Sequence, residues 1–140
     1  MMDSGRSQQI LSTLQTFFSE PLTDRIQRAI TTPAQESLLA LFHSVVQTVP
    51  AYRTFLSQYG IDPESVQSLD TFQQLPLTTK ANYLQQHPLS QLCRQGSLAG
   101  CDMIAVSSGS TGQPTFWPRL ITDELHIATR FEQIFRDSFQ

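Results

Sequence analysis

The sequence predicts an α/β fold: a mostly helical N-terminal part that leads into the first strands of an α/β subdomain. Three observations carry this. Apolar residues recur at three-and-four spacing from Gln8 to Tyr59, the period of helices with one buried face. After residue 100 the pattern changes to two short apolar runs, Asp102 to Val106 and Thr115 to Leu120, which read as strands. Between them lies Ser107-Ser108-Gly109-Ser110-Thr111-Gly112-Gln113-Pro114, whose first six positions hold four hydroxyls and two glycines. The chain thus divides into a helical segment, 1–100, and the start of an α/β subdomain, 101–140.

The first helix spans Gln8 to Phe18, with Ile10, Leu11, Leu14, Phe17 and Phe18 on one stripe, and Glu20-Pro21 ends it. A short second helix runs from Thr23 to Ile30. Thr32-Pro33-Ala34-Gln35 reads as a start signal, with threonine as cap, proline at the first helical position and Gln35 completing a capping box. The next helix carries Leu38, Leu39, Leu41, Phe42, Val45, Val46 and Val49, a wide apolar arc that predicts burial. Pro50 stops it. Ala51 to Tyr59 places Tyr52, Phe55, Leu56 and Tyr59 on one face, and Gly60 stands where a left-handed C-terminal cap belongs.

Asp62-Pro63-Glu64 predicts a capped single turn, and Ser68 caps a helix from Leu69 to Leu75. Thr78-Thr79-Lys80 opens another that ends before Pro88. Leu89 to Gly100 reads as a loop or irregular helix. Beyond it come a buried strand at Asp102 to Val106, the small-residue loop, and a second strand at Thr115 to Leu120. Thr122-Asp123-Glu124 starts the last helix, with Leu125, Ala128, Phe131, Phe135 and Phe139 on one face. Its first-turn acids suit the positive end of the helix dipole.

Composition narrows the function classes. Net charge is -3 and Lys80 is the only lysine, so the basic face needed for sequence-independent nucleic-acid binding is missing. No apolar stretch approaches the ~20 residues of a membrane helix, and no signal-peptide block follows Met1. Cys93 and Cys101 match no zinc or redox spacing; they read as reduced thiols of a cytoplasmic protein, with a Cys93–Cys101 disulfide as the alternative. No catalytic residue and no metal ligand is assigned.

The loop holds the chemistry. Glycine lets the backbone turn tightly and approach a ligand closely. Turn amides and short hydroxyls converge on phosphate oxygens. The reading is a nucleotide phosphate clamp made of Ser107, Ser108, Gly109, Ser110, Thr111 and Gly112. Ser110 and Thr111 are its foremost hydroxyl donors, and Pro114 stiffens the exit. It is not a Walker A loop: Gly109 and Gly112 are too close and no Lys-Ser or Lys-Thr follows. The plain alternative is a serine-glycine hairpin turn. Elsewhere the plain readings are preferred: Lys80 as a solvated helix-start residue, Tyr52-Arg53 as helix packing, and Trp117 as core. His43, His87 and His126 read as packed residues, and Asp123 and Glu124 as dipole partners.

This loop resembles the phosphate-binding signature of the adenylate-forming acyl–coenzyme A ligases, a serine/threonine/glycine run followed by proline. Val49-Pro50-Ala51-Tyr52-Arg53, Gly60-Ile61-Asp62-Pro63, the Leu69 to Leu75 segment and Leu75-Pro76-Leu77-Thr78-Thr79-Lys80 are similar, in order, to the phenylacetate–coenzyme A ligase branch. The resemblance covers about Leu38 to Gln140. Thr115 follows Pro114 where many superfamily members carry lysine, a departure familiar in that branch. It leaves the loop without a cation.

The resemblance implies the beginning of an adenylate-forming large domain, incomplete in this chain. It implies ATP, Mg2+ and coenzyme A as cofactors of the full-length enzyme and a small-molecule carboxylic acid as substrate. The acid is adenylylated with release of pyrophosphate, and the coenzyme A thiol then displaces AMP. The family's adenine contacts, acidic magnesium ligand and late lysine have no counterpart here, so the chain by itself is expected to be inactive. A rival of another class is a small helical binding or regulatory module whose serine-rich loop meets a partner.

Overall fold

A computed structural model describes residues 4–107 and 114–139 of the chain. It is mostly helical with one two-stranded antiparallel sheet, the α/β composition expected from the sequence. The helices are α1 (Ser4–Ser19), α2 (Leu22–Thr31), α3 (Ala34–Thr48), α4 (Pro50–Gln58), α5 (Leu69–Gln73) and α6 (Ile121–Ser138). The strands are β1 (Met103–Val106) and β2 (Phe116–Arg119). Contacts group the residues into two compact units, one of Thr32–Gly100 and one of Met1–Thr31 with Cys101–Gln140.

The unit Thr32–Gly100 owns the apolar core. Phe42 and Val46 of α3, Phe55 and Leu56 of α4, and Val66 form a buried cluster, ringed by Leu39, Tyr52, Ile61, Phe72, Leu75 and Tyr83. Burying each such side chain contributes about 1.5–3 kcal/mol. The aromatic rings interlock: Phe42 meets Tyr52 and Phe72 edge-on at 6.1 and 5.8 Å, and Tyr52 stacks on Phe55 at 6.2 Å. Each turn between the helices has a local cause. Gly60, at φ 67°, lets Ile61 N–H bond to Leu56 C=O and Gly60 N–H to Ser57 C=O, closing α4. The Asp62 carboxylate accepts from Glu64 N–H at 3.1 Å and starts the 3₁₀ turn Pro63–Ser65. Ser68 and Thr71 form a reciprocal capping box ahead of α5.

Two starts differ from expectation. Pro33, not Thr32, occupies the cap position of α3, and no side chain caps it there. Thr79 and Asn82 form the expected cap, yet they open the π turn Lys80–Leu84 and not an α-helix, with Leu84 N–H reaching back to Thr79 C=O. The segment after Pro88 resolves into 3₁₀ turns Leu89–Leu92 and Arg94–Gly96. Gln95 and Gly96 both take positive φ, 59° and 63°. Arg94 pins the second turn to α3 through the Ser44 hydroxyl at 3.2 Å.

In the other unit, α1 and α2 pack on α6, and the hairpin β1–β2 precedes α6. The bounds of α2 and α6 follow the sequence and α1 starts at Ser4, a turn before the expected Gln8, but the face that α6 buries does not follow. Its buried residues are Thr129 and Gln133, while Phe131, Phe135 and Phe139 are 56, 59 and 80% exposed. The expected apolar face is therefore an outer face. Helical periodicity fixes which residues share a side of α6, whereas its neighbours decide which side is covered; α1 and α2 take the side carrying Thr129 and Gln133. Gln133 donates to the Glu20 carbonyl at 3.4 Å.

Candidate functional site: the β1–β2 hairpin and its loop

Four residue pairs set the hairpin register: Met103 with Arg119, Ile104 with Pro118, Ala105 with Trp117, and Val106 with Phe116. One step further, Ser107 N–H donates to Thr115 C=O at 3.0 Å, which makes this a hydrogen-bonded pair. A regular antiparallel pair exchanges both main-chain bonds. Here the return bond goes elsewhere: Thr115 N–H donates to the Ser107 hydroxyl at 3.2 Å, and that hydroxyl lies 3.4 Å from Thr115 C=O. Ser107 and Thr115 thus close the base of the loop.

Alternation along an antiparallel ladder makes Ala105·Trp117 a hydrogen-bonded pair and Ile104·Pro118 a non-hydrogen-bonded one. The nitrogen of Pro118 therefore faces away from β1, where its missing N–H costs the ladder nothing. By the same alternation Ala105, Ser107, Trp117 and Arg119 share a face. That face, with Val106 and Pro118 beside it, borders an open depression of about 360 Å3. Trp117, expected in the core, is 47% exposed, and β1, expected to be buried, has Met103, Ile104 and Val106 exposed. Two strands cannot cover both of their own faces.

At the far end of the hairpin, Asp102 accepts the Ile121 N–H at 2.8 Å and so caps α6 from the strand side. Arg119 pairs with Glu124 in the first turn of α6 at 2.7 Å. Neither residue was singled out from sequence. An acid immediately before an apolar strand is a weak signal, and its partner N–H stands nineteen positions on. Arg119 lies four residues past Thr115, about 13 Å along an extended strand, and its guanidinium is held by Glu124. No lysine or arginine occurs between residues 102 and 118.

Of the six residues assigned to the phosphate clamp, the structure places Ser107 at the loop base. Ser108, Gly109, Ser110, Thr111 and Gly112 lie outside the described residues, as does Gln113. Among the described residues no group of three His, Cys, Asp or Glu side chains converges to hold a metal, and no helix is long and apolar enough to cross a membrane. The Cys93 and Cys101 sulfurs donate to the Leu89 and Met103 carbonyls at 3.3 and 2.9 Å.

Tyr52 packs within the core cluster, Lys80 is exposed at the start of the π turn, and His43 and His87 sit edge-on to Phe42 and Tyr83 at 5.1 and 5.6 Å. Burial pushes the Tyr52 phenol above its ordinary pKa. Burial does the same to Tyr83, and the nearby Tyr52 adds to it.

Over 81 residues, 58% of this chain, the sequence is 30% identical to a phenylacetate-coenzyme A ligase of Thermus thermophilus. The match spans 18% of that protein's length. No family model matches the chain, and no solved structure matches it. The similarity is therefore to part of a ligase.

Proposed function

We propose that this chain forms the triphosphate-gripping part of an ATP-dependent, AMP-forming carboxylate–coenzyme A ligase that acts on a phenylacetate-like acid. The observation that carries the reading is the hairpin. Its base is closed by Ser107 and Thr115, and the sequence it holds there is the serine/threonine/glycine run of the ligase signature. The partial identity with a phenylacetate-coenzyme A ligase supports the reaction class.

On this reading the hydroxyls and backbone amides of Ser108, Gly109, Ser110, Thr111 and Gly112 receive the β- and γ-phosphates, with Ser107 at the loop entry. Backbone amide and hydroxyl donors of this kind stabilise negative charge on phosphate oxygens. The loop lacks a cation of its own and Arg119 is engaged by Glu124, so Mg2+ carried in with ATP supplies the positive charge. Contacts to the acid, adenine and coenzyme A are not assigned to residues of this chain, and the chain alone is expected to form no acyl–coenzyme A.

The test is a titration of the 140-residue chain with Mg-ATP, followed by amide chemical shifts and calorimetry. Saturable binding is expected, with shift changes concentrated between residues 107 and 115 and competition by inorganic tripolyphosphate. Replacing Gly112 by valine should weaken it roughly tenfold or more, about 1.4 kcal/mol. A folded chain whose spectrum ignores millimolar Mg-ATP would refute the reading and favour the small interaction module.

A further inference from the structure

We infer that Ser107 is a positioning residue rather than a phosphate ligand: its hydroxyl stands in for a main-chain acceptor and sets the width of the loop mouth. The inference rests on the triphosphate reading for its purpose, but not for its geometry. A hydrogen-bonded antiparallel pair normally returns the second N–H to the partner's carbonyl. At this pair the Thr115 N–H goes to Ser107 Oγ at 3.2 Å, while the Ser107 N–H keeps its regular bond to Thr115 C=O at 3.0 Å.

The hydroxyl oxygen is engaged by the Thr115 backbone. It accepts from Thr115 N–H, and the hydroxyl proton has Thr115 C=O within 3.4 Å. A hydroxyl offers one donor and two acceptor positions. One acceptor position of the hydroxyl is thus committed to the Thr115 N–H, while the Thr115 carbonyl at 3.4 Å holds its proton only weakly. The labour is therefore divided by position. Ser107 and Thr115 hold the two strand ends at a fixed separation, and the residues between them are left to contact ligand. This also assigns a task to Thr115, where many ligases of this signature place lysine: its contribution is its backbone N–H.

Amide hydrogen exchange on the full chain tests this, with the Thr129 and Gln133 amides of α6, in the same unit, as internal folding controls. The Thr115 amide is expected to be protected in the unsubstituted chain; a freely exchanging Thr115 amide would overturn the inference without any variant. Ser107→Ala should raise Thr115 exchange by roughly three- to tenfold, the effect of one lost hydrogen bond, while the controls hold. Ser107→Thr, which keeps the hydroxyl, should restore it. Equal Thr115 protection in Ser107→Ala and the unsubstituted chain would overturn the inference.

Adding Mg-ATP separates positioning from direct contact. A positioning hydroxyl keeps Thr115 protected when nucleotide binds, and Ser107→Ala weakens binding several-fold with rescue by Ser107→Thr. Release of the Thr115 amide on nucleotide binding would show the hydroxyl turning to the phosphate, and the inference would fall. If the unsubstituted chain binds no Mg-ATP, the triphosphate reading fails, while the Thr115 exchange data still decide whether Ser107 sets the loop mouth.

Discussion

Replacing Phe55 by alanine tests the packing of the unit Thr32–Gly100. Phe55 is fully buried, and its ring lies between Tyr52, Tyr59 and Tyr83 at centroid distances of 6.2, 4.9 and 5.5 Å. Truncating a buried phenylalanine removes its transfer free energy and leaves a cavity, a combined cost of about 3–5 kcal/mol. A unit of roughly 70 residues at 0.05–0.15 kcal/mol per residue has about 3–10 kcal/mol in total. The substitution should therefore consume a large part of the unit's stability. The chain offers a convenient assay, because all three tyrosines, Tyr52, Tyr59 and Tyr83, lie in this unit and the single tryptophan, Trp117, does not. Urea unfolding followed by the tyrosine bands of near-ultraviolet circular dichroism reads the unit directly. Phe55→Ala should lower the midpoint by an amount worth about 4 kcal/mol, and Phe55→Leu by distinctly less. A loss below about 1 kcal/mol for the alanine variant would mean that the ring is not enclosed as described, and the reasoning would fail.

Two further outcomes stem from particular groups. A Cβ added at Gly60 meets no atom within 4 Å, so Gly60→Ala isolates backbone strain at φ 67°; it should cost about 1 kcal/mol in urea unfolding, and Gly60→Asn less. Tyr52 and Tyr83 have raised pKa values, so folding opposes their ionisation. The unfolded phenols ionise near pH ~10, hence stability is intact below that pH and is lost as pH rises from there through the folded pKa values. Urea midpoints measured across this alkaline range should fall with pH, and the Tyr52→Phe/Tyr83→Phe double variant should show a shallower fall.

What the sequence disclosed were features decided within a few residues. The Gly60 cap, the Asp62 turn, the Ser68 box and the Thr79 cap are closed by partners no more than five positions away, so residue type and spacing suffice to find them. Thr32 failed as a cap because Pro33 itself occupies the cap position of α3. The π turn at Lys80–Leu84 was hidden because its start signal is the same as that of an α-helix. The sequence marked Ser107 to Pro114 as a loop between two strands, of which the described residues include Ser107 and Pro114, but the closure of its base was not legible. Finding that Ser107 serves Thr115 requires the strand register, and several registers would satisfy the same apolar runs. Asp102 and Arg119 were missed for a related reason: each acts on the first turn of α6, through pairings that the hairpin brings about.

Burial separates the two units more sharply than secondary structure does. In Thr32–Gly100 the apolar pattern is largely covered, because α3 and α4 supply each other's missing faces, although Leu41 and Tyr59, expected on covered faces, are 55 and 52% exposed. In the unit holding the hairpin the apolar pattern and the buried set disagree. The run Met103-Ile104-Ala105-Val106 has the unbroken apolar character of a strand covered on both faces, yet three of its four residues are exposed. Phe131, Phe135 and Phe139 together leave on the order of 400 Å2 of aromatic surface uncovered, comparable to the largest apolar patch of an ordinary monomer. A pattern selected only for a solvent-facing hairpin would alternate polar and apolar residues, and this one does not. The sequence of β1 and α6 is thus written for a more enclosed setting than the described residues provide, while the closure of the loop by Ser107 and Thr115 is complete within eight positions of chain. Loop geometry and strand burial are therefore separable requirements, and only the first is met by local contacts.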